Sequence, residues 1–81
     1  MDRNEIIETI KTIISDETEI PKEDIQENSL LMRDLELSSL EVLAIIGKLE
    51  EKYGVRVEAE ELHKITMIGE IVDYLINISA H

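Results

Sequence analysis

An all-α bundle is the fold class this sequence predicts, and three observations predict it. Apolar residues recur at helical spacing in three separate segments, no long segment alternates with a period of two, and the aliphatic content is enough for one core. Ile, Leu and Val supply 27 of the 81 residues, Phe and Trp are absent, and Tyr occurs only at positions 53 and 74. Aromatic area usually anchors small domains, so an almost wholly aliphatic interior is expected to be modestly stable and deformable. A chain of this length holds one core, and residues 1–81 are read as a single domain. The same aliphatic third argues against disorder, which its charge alone would otherwise suggest.

The elements follow in order. Ile6, Ile7, Ile10, Ile13 and Ile14 share one helical face, and Asp2 three residues before Glu5 gives a capping-box start, so a first helix is predicted over residues 3–15. From Asp16 to Leu37 the periodicity breaks, with Pro21 and the turn-forming Asn28-Ser29 inside the break. So long a connection in so small a domain is either functional or hides a short helical turn, and Ile25, Leu30, Leu31 and Leu35 are expected to pin it to the core. Ser38 to Tyr53 reads as the second helix, stopped by Gly54 where a left-handed residue is wanted. Val55-Arg56-Val57 is too short for a sheet, and Ala59 to His63 holds one or two helical turns. Thr66 is the expected N-cap of a last helix through Ile78, with Ile68, Ile71, Val72, Leu75 and Ile76 on one face. Three longer helices, a short third one and a long first loop make the predicted bundle.

Charge narrows the function. The chain has 19 Asp and Glu against 8 Lys and Arg, a net charge of −11, with acids in excess on both sides of residue 38. Duplex nucleic acid and anionic membrane are polyanions and are not expected as partners, whereas basic protein surfaces are favoured. The absence of cysteine removes disulfides, thiolate nucleophiles and the common zinc sites, and it fits a reducing compartment. Met1-Asp2-Arg3-Asn4 is charged where a signal peptide needs an apolar stretch, and the longest apolar run, Val42 to Ile46, is too short to cross a bilayer. A cytoplasmic, soluble monomer without membrane insertion is expected.

The start of the second helix is the most informative place. With Ser38 as N-cap and Glu41 closing the box, Ser39 takes the first helical position, beside free N–H groups and the positive end of the macrodipole, a setting that suits a phosphoester. Two serines that simply begin a helix would look the same. The helix also has two apolar stripes. Val42, Ile45, Ile46, Leu49 and Tyr53 are core; Leu40, Leu43, Ala44 and Gly47 form a second stripe flanked by Glu41, Glu50 and Glu51. That second stripe is either a docking surface with an acidic rim or a face buried by a further neighbour. Gly47 costs about 1 kcal/mol relative to alanine inside a helix, which implies close approach of another backbone, from this chain or a partner.

Asp34-Leu35-Glu36-Leu37-Ser38-Ser39-Leu40-Glu41, then Leu49-Glu50-Glu51-Lys52-Tyr53-Gly54-Val55, Lys64-Ile65-Thr66 and Val72-Asp73-Tyr74-Leu75, together resemble the acyl carrier proteins over nearly the whole chain. The resemblance implies an acidic four-helix bundle whose signature Asp-Leu-Gly-x-Asp-Ser-Leu carries 4′-phosphopantetheine, transferred from coenzyme A by a phosphopantetheinyl transferase. Matched from Asp34-Leu35 onward, the modified serine is Ser39. It further implies that acyl groups ride on the arm as thioesters to acyl-transferring and acyl-modifying enzymes of fatty acid, lipid or polyketide-type synthesis, whose basic patches read the second helix. Leu40, Leu43 and the position of Gly47 would be apolar contacts; Asp34, Glu36, Glu41, Glu50 and Glu51 would be ionic ones. Three residues depart from the pattern: Ser38 replaces aspartate, Glu36 replaces glycine, and Gly47 stands where many members expose methionine. Ser38 is a rival hydroxyl, but register selects Ser39, and the departures point to a specialised or accessory carrier.

No catalytic centre is expected of the chain itself. A nucleophilic serine needs a neighbouring base, and only His63 and His81 are present. A Ser39–His63 pair would lack a third orienting group and an oxyanion motif, so both histidines are read as solvated surface. Glu60, Glu61 and His63 are read as solvated charge rather than metal ligands, and no calcium-loop motif occurs. Within the carrier class an aminoacyl or peptidyl carrier is the nearest alternative; from another class, an unmodified acidic interaction module is.

Overall fold

The computed structural model describes residues 2–79. Helix α1 runs Arg3–Glu17, α2 Ser39–Tyr53, α3 Ala59–Leu62 and α4 Ile68–Ser79, with a 3-10 turn at Lys22–Asp24 in the long first connection and no strand among the described residues. The four-helix, all-α bundle expected from periodicity is the fold observed.

The termini of α1 differ in detail from the expectation. Asp2 caps the helix by accepting from Asn4 N–H at 2.9 Å, but no bond from Asp2 N–H to Glu5 closes a box among the described residues. The helix runs two residues past the predicted end. Thr18 stops it there, its N–H and hydroxyl both donating to the Ile14 carbonyl, at 2.9 and 2.7 Å.

The long connection is an ordered strap. The 3-10 turn confirms a hidden helical turn, and Ile25, Leu31, Leu35 and Leu37 are buried; Leu30, expected to be a pin, is only half-buried. Leu30 is tied instead through its backbone, as half of an isolated antiparallel bridge with Met67. Leu31 N–H donates to Thr66 O at 2.9 Å, Ile68 N–H to Ser29 O at 3.2 Å and Gly69 N–H to Glu27 O at 2.8 Å. Gly69 permits that last approach: a Cβ there would lie 3.3 Å from Glu27 Cγ. Arg3 adds ion pairs to Glu27 and Asp73, clasping α1, strap and α4.

The start of α4 is shifted relative to the expected Thr66 cap. Helical hydrogen bonding begins at the Met67 carbonyl, and the Thr66 hydroxyl donates to Glu70 Oε1 at 2.7 Å instead of accepting from the backbone. The same oxygen accepts from Thr66 N–H at 2.8 Å and Met67 N–H at 3.0 Å, so one carboxylate closes the helix end. These bonds hold the Glu70 pKa below the ordinary carboxylate value.

The core joins Ile6, Ile10 and Ile14 of α1, Ile45 and Leu49 of α2 and Ile68, Ile71, Val72 and Leu75 of α4, each no more than 2% exposed. Both tyrosines stay at its edge, only partly buried. The buried hydrophobic side chains are all aliphatic, Ser29 is buried beside them, and no buried side-chain polar atom lacks a partner among the described residues.

Candidate functional site

The N-terminus of α2 separates its two serines. Ser38 caps the helix: its hydroxyl accepts from Glu41 N–H at 3.2 Å, and its own N–H donates to Glu41 Oε1 at 2.9 Å, completing the predicted box. Ser39 stands at the first helical position, exposed, and its hydroxyl makes no hydrogen bond among the described residues. The N–H groups of Ser39 and Leu40 likewise have no acceptor there, leaving two donors beside the free hydroxyl at the positive end of the helix.

Ser39 also lies on the lining of a groove of about 620 Å³ between the strap, α2 and α3. Its walls are mainly apolar, from Leu30, Leu31, Met32, Val42, Leu43, Leu62 and Ile65. In a chain with 19 acidic residues, not one Asp or Glu lines this groove, and its charged or basic side chains are Arg33 and His63. His63 shares the groove with Ser39, but no hydrogen bond joins them. His81 lies outside the described residues. Among those described, no three His, Cys, Asp or Glu side chains converge as a metal site.

Further along α2, the second apolar stripe lies open. Leu40 is 77% exposed and Leu43 49%, with Ala44 and Gly47 exposed beside them, so no neighbour among the described residues covers it. A Cβ on Gly47 would meet nothing within 4 Å, so among the described residues no neighbouring backbone crowds that position. The acidic residues divide. Glu36 and Glu51 are exposed. Asp34 accepts from Leu30 N–H at 2.8 Å, Glu41 serves the cap, and half-buried Glu50 accepts from Val57 N–H at 2.7 Å, holding the connection after α2. Glu50 thus has a structural task that the sequence reading did not foresee. Met32, 60% exposed, is the apolar residue that reading missed. The run Leu30-Leu31-Met32 contained the signal, because three successive apolar residues cannot all face one core.

Residues 8–75 match the family model described as "Phosphopantetheine attachment site". The chain belongs to the acyl carrier protein family. It is 34% identical over 80 residues to an acyl carrier protein of Saccharopolyspora erythraea, covering 99% of this chain and 84% of that protein. It is 36% identical over 76 residues to the one from Rubrobacter xylanophilus, covering 94% of each. In three dimensions it matches the acyl carrier protein of Enterococcus faecalis with a TM-score of 0.78 and 27% identity, covering 95% of this chain and 98% of that one.

Family membership makes this chain a carrier of acyl groups on covalently attached 4′-phosphopantetheine. Acyl carrier proteins carry rather than catalyse, and a phosphopantetheinyl transferase and synthase enzymes are their partners. The residues present fit such an arm: a free hydroxyl, two unused backbone donors and an apolar groove beside them. No helix of the described residues is long and apolar enough to cross a membrane.

Proposed function

We propose that Ser39 is the attachment point, and that residues 1–81 form a single, non-catalytic, monomeric carrier domain of the cytoplasm serving fatty acid, lipid or polyketide-type synthesis. The observation that carries this reading is the contrast between the serines: the Ser38 hydroxyl is occupied as a cap, whereas Ser39 is exposed, lines the groove and has a hydroxyl without a hydrogen bond among the described residues. The arm supplies the thiol that this cysteine-free chain lacks. Ser39 presents the oxygen, the Ser39 and Leu40 N–H groups face the developing phosphoester, and a transferase provides the activation.

Leu40, Leu43 and Met32 form the apolar centre of the docking surface, with Gly47 leaving room for close approach and Asp34, Glu36, Glu41 and Glu51 giving it a negative rim. Glu50 adds to that rim only through the carboxylate face left free by Val57. Basic patches on partner enzymes suit such a surface, since complementary charge speeds encounter more than it tightens the complex. The apolar groove favours an alkyl cargo over an aminoacyl one, and the aliphatic core around it can part to shelter the chain's tail. Core methyl shifts that move progressively with acyl length in NMR spectra would support sheltering; shifts indifferent to length would exclude it.

Incubation with coenzyme A and a phosphopantetheinyl transferase tests the attachment. Wild type and Ser38→Ala should each gain one phosphopantetheine, and Ser39→Ala none. Loading of Ser39→Ala, or refusal of wild type, contradicts the reading.

A further inference from the structure

Five of the eight Lys and Arg side chains are held in ion pairs: Arg3 with Glu27 and Asp73, Lys11 and Lys22 with Glu8, Lys48 with Glu17 and Lys64 with Glu61. Arg33, Lys52 and Arg56 make none among the described residues. Arg33 and Arg56 are thus the guanidinium groups without a carboxylate partner among the described residues, in a molecule of net charge −11. Of these three cations only Arg33 lines the groove that Ser39 lines, and no carboxylate shares that lining. Arg33 is exposed and lies six positions before Ser39, in the strap segment that leads into α2.

The surroundings give this placement a purpose. Asp34, Glu36 and Glu41 are close in sequence to Ser39 and would repel a phosphodiester on its oxygen. Asp34 and Glu41 have a carboxylate oxygen turned to the Leu30 and Ser38 N–H groups, which leaves the groove side free of acid. A guanidinium offers a planar fork of donors suited to phosphate oxygens. A phosphate tethered to Ser39 is present at high effective concentration, whereas a partner's carboxylate visits only transiently.

Resting on the Ser39 reading, we propose that Arg33 is a positioning residue that binds the anionic phosphodiester of the prosthetic arm and directs the arm along the acid-free groove. His63, the other basic side chain of the lining, caps the C-terminus of α3 and lines the same groove. Arg33 acts on the tether and not on the thioester, so its effect does not depend on the cargo. It offsets the negative charge around the attachment point that would otherwise drive the arm away from the protein.

Phosphorus NMR of the unloaded holo-protein tests this without any enzyme assay. The phosphodiester resonance of wild type at low salt should be displaced and broadened relative to the same holo-protein unfolded in urea, and added sodium chloride should reduce the displacement. Arg33→Gln should lose most of the displacement and sharpen the line. Arg56→Gln makes the same change in net charge at an unpaired cation lining a different depression, beside Gly47 and Glu51, and should match wild type. Identical phosphorus spectra for wild type and Arg33→Gln, or equal losses in Arg33→Gln and Arg56→Gln, would overturn the assignment. Failure of every variant to take up the arm would instead count against Ser39, so the two failures are distinguishable. The Arg33 side chain has no hydrogen bond or ion pair to lose among the described residues, and an unchanged helical circular dichroism spectrum would confirm that the variant is folded.

Discussion

Adjacent residues at the attachment segment have opposite duties, and each duty follows from where its polar atoms point. Ser38 spends its hydroxyl on the helix, so Ser38→Ala should cost roughly 0.5–2 kcal/mol in chemical denaturation, the usual price of an N-cap, while leaving a loadable protein. Glu36 has φ 54°, the one left-handed non-glycine residue among those described. A side chain there costs roughly 1 kcal/mol, partly offset by the extra freedom glycine has in the unfolded chain. Glu36→Gly is therefore expected to raise the melting temperature by a few degrees, and Glu36→Val to lower it. A melting temperature that falls on Glu36→Gly would mean that the strain is not felt. The resemblance identified Glu36 as a departure from glycine, but its dihedral was not legible, because nothing local in Leu35-Glu36-Leu37 demands positive φ. The turn is imposed by bonds from the Leu35 and Leu37 N–H groups back to the Leu30 and Leu31 carbonyls.

Helix α2 was the element most legible in sequence, because its signals agree: a capping box, two distinct apolar stripes and Gly54, which adopts φ 63° at the C-terminus. Sequence left open whether the second stripe is solvent-facing or covered by a further neighbour, since burial is a property of neighbours, and the exposure of Leu40 and Leu43 settles it. Gly47 sits in open space, so Gly47→Ala should stabilise the free protein by about 1 kcal/mol. If a partner's backbone packs there, the same change should weaken docking, measurable by calorimetry with a synthase partner; unchanged affinity would reject a close-approach role. The ends of α1 and α4 were less legible. Thr18 and Glu70 act through bonds to atoms four residues back, and propensity does not distinguish those bonds from solvent exposure. For Glu70 the lowered pKa fixes a sign. Ionised Glu70 adds stability above the ordinary carboxylate pKa of about 4.3, and that increment is lost as pH falls through its lower folded value. The stability difference between wild type and Glu70→Ala should thus be full at pH 7 and shrink in strongly acidic solution. A difference independent of pH would show that packing, not the charged hydrogen bonds, is what the substitution removes.

At the scale of the whole molecule, net charge and an aliphatic core pull in different directions. Nineteen carboxylates against eight cations repel one another in the folded state, so raising sodium chloride at pH 7 should increase the melting temperature of the free carrier. The same salt should slow association with basic partners. Opposite responses of stability and association rate to one variable are the signature of a surface whose charge serves encounter and not folding; a melting temperature that falls with salt would contradict it. Bundle and acidity were legible from composition and periodicity alone. The groove was not, since the strap and α3 that face each other across it are distant in sequence and are brought together by the tie of Leu30 and Leu31 to the start of α4. Carrier function depends on a single ester oxygen, and the most direct test is fragment-ion mass spectrometry of peptides from the protein purified from its own cells. It should place 4′-phosphopantetheine on Ser39, with an acyl group on the arm's thiol in a fraction of molecules. An arm on Ser38 or any other side chain, or a peptide spanning both serines that is never modified, would contradict it.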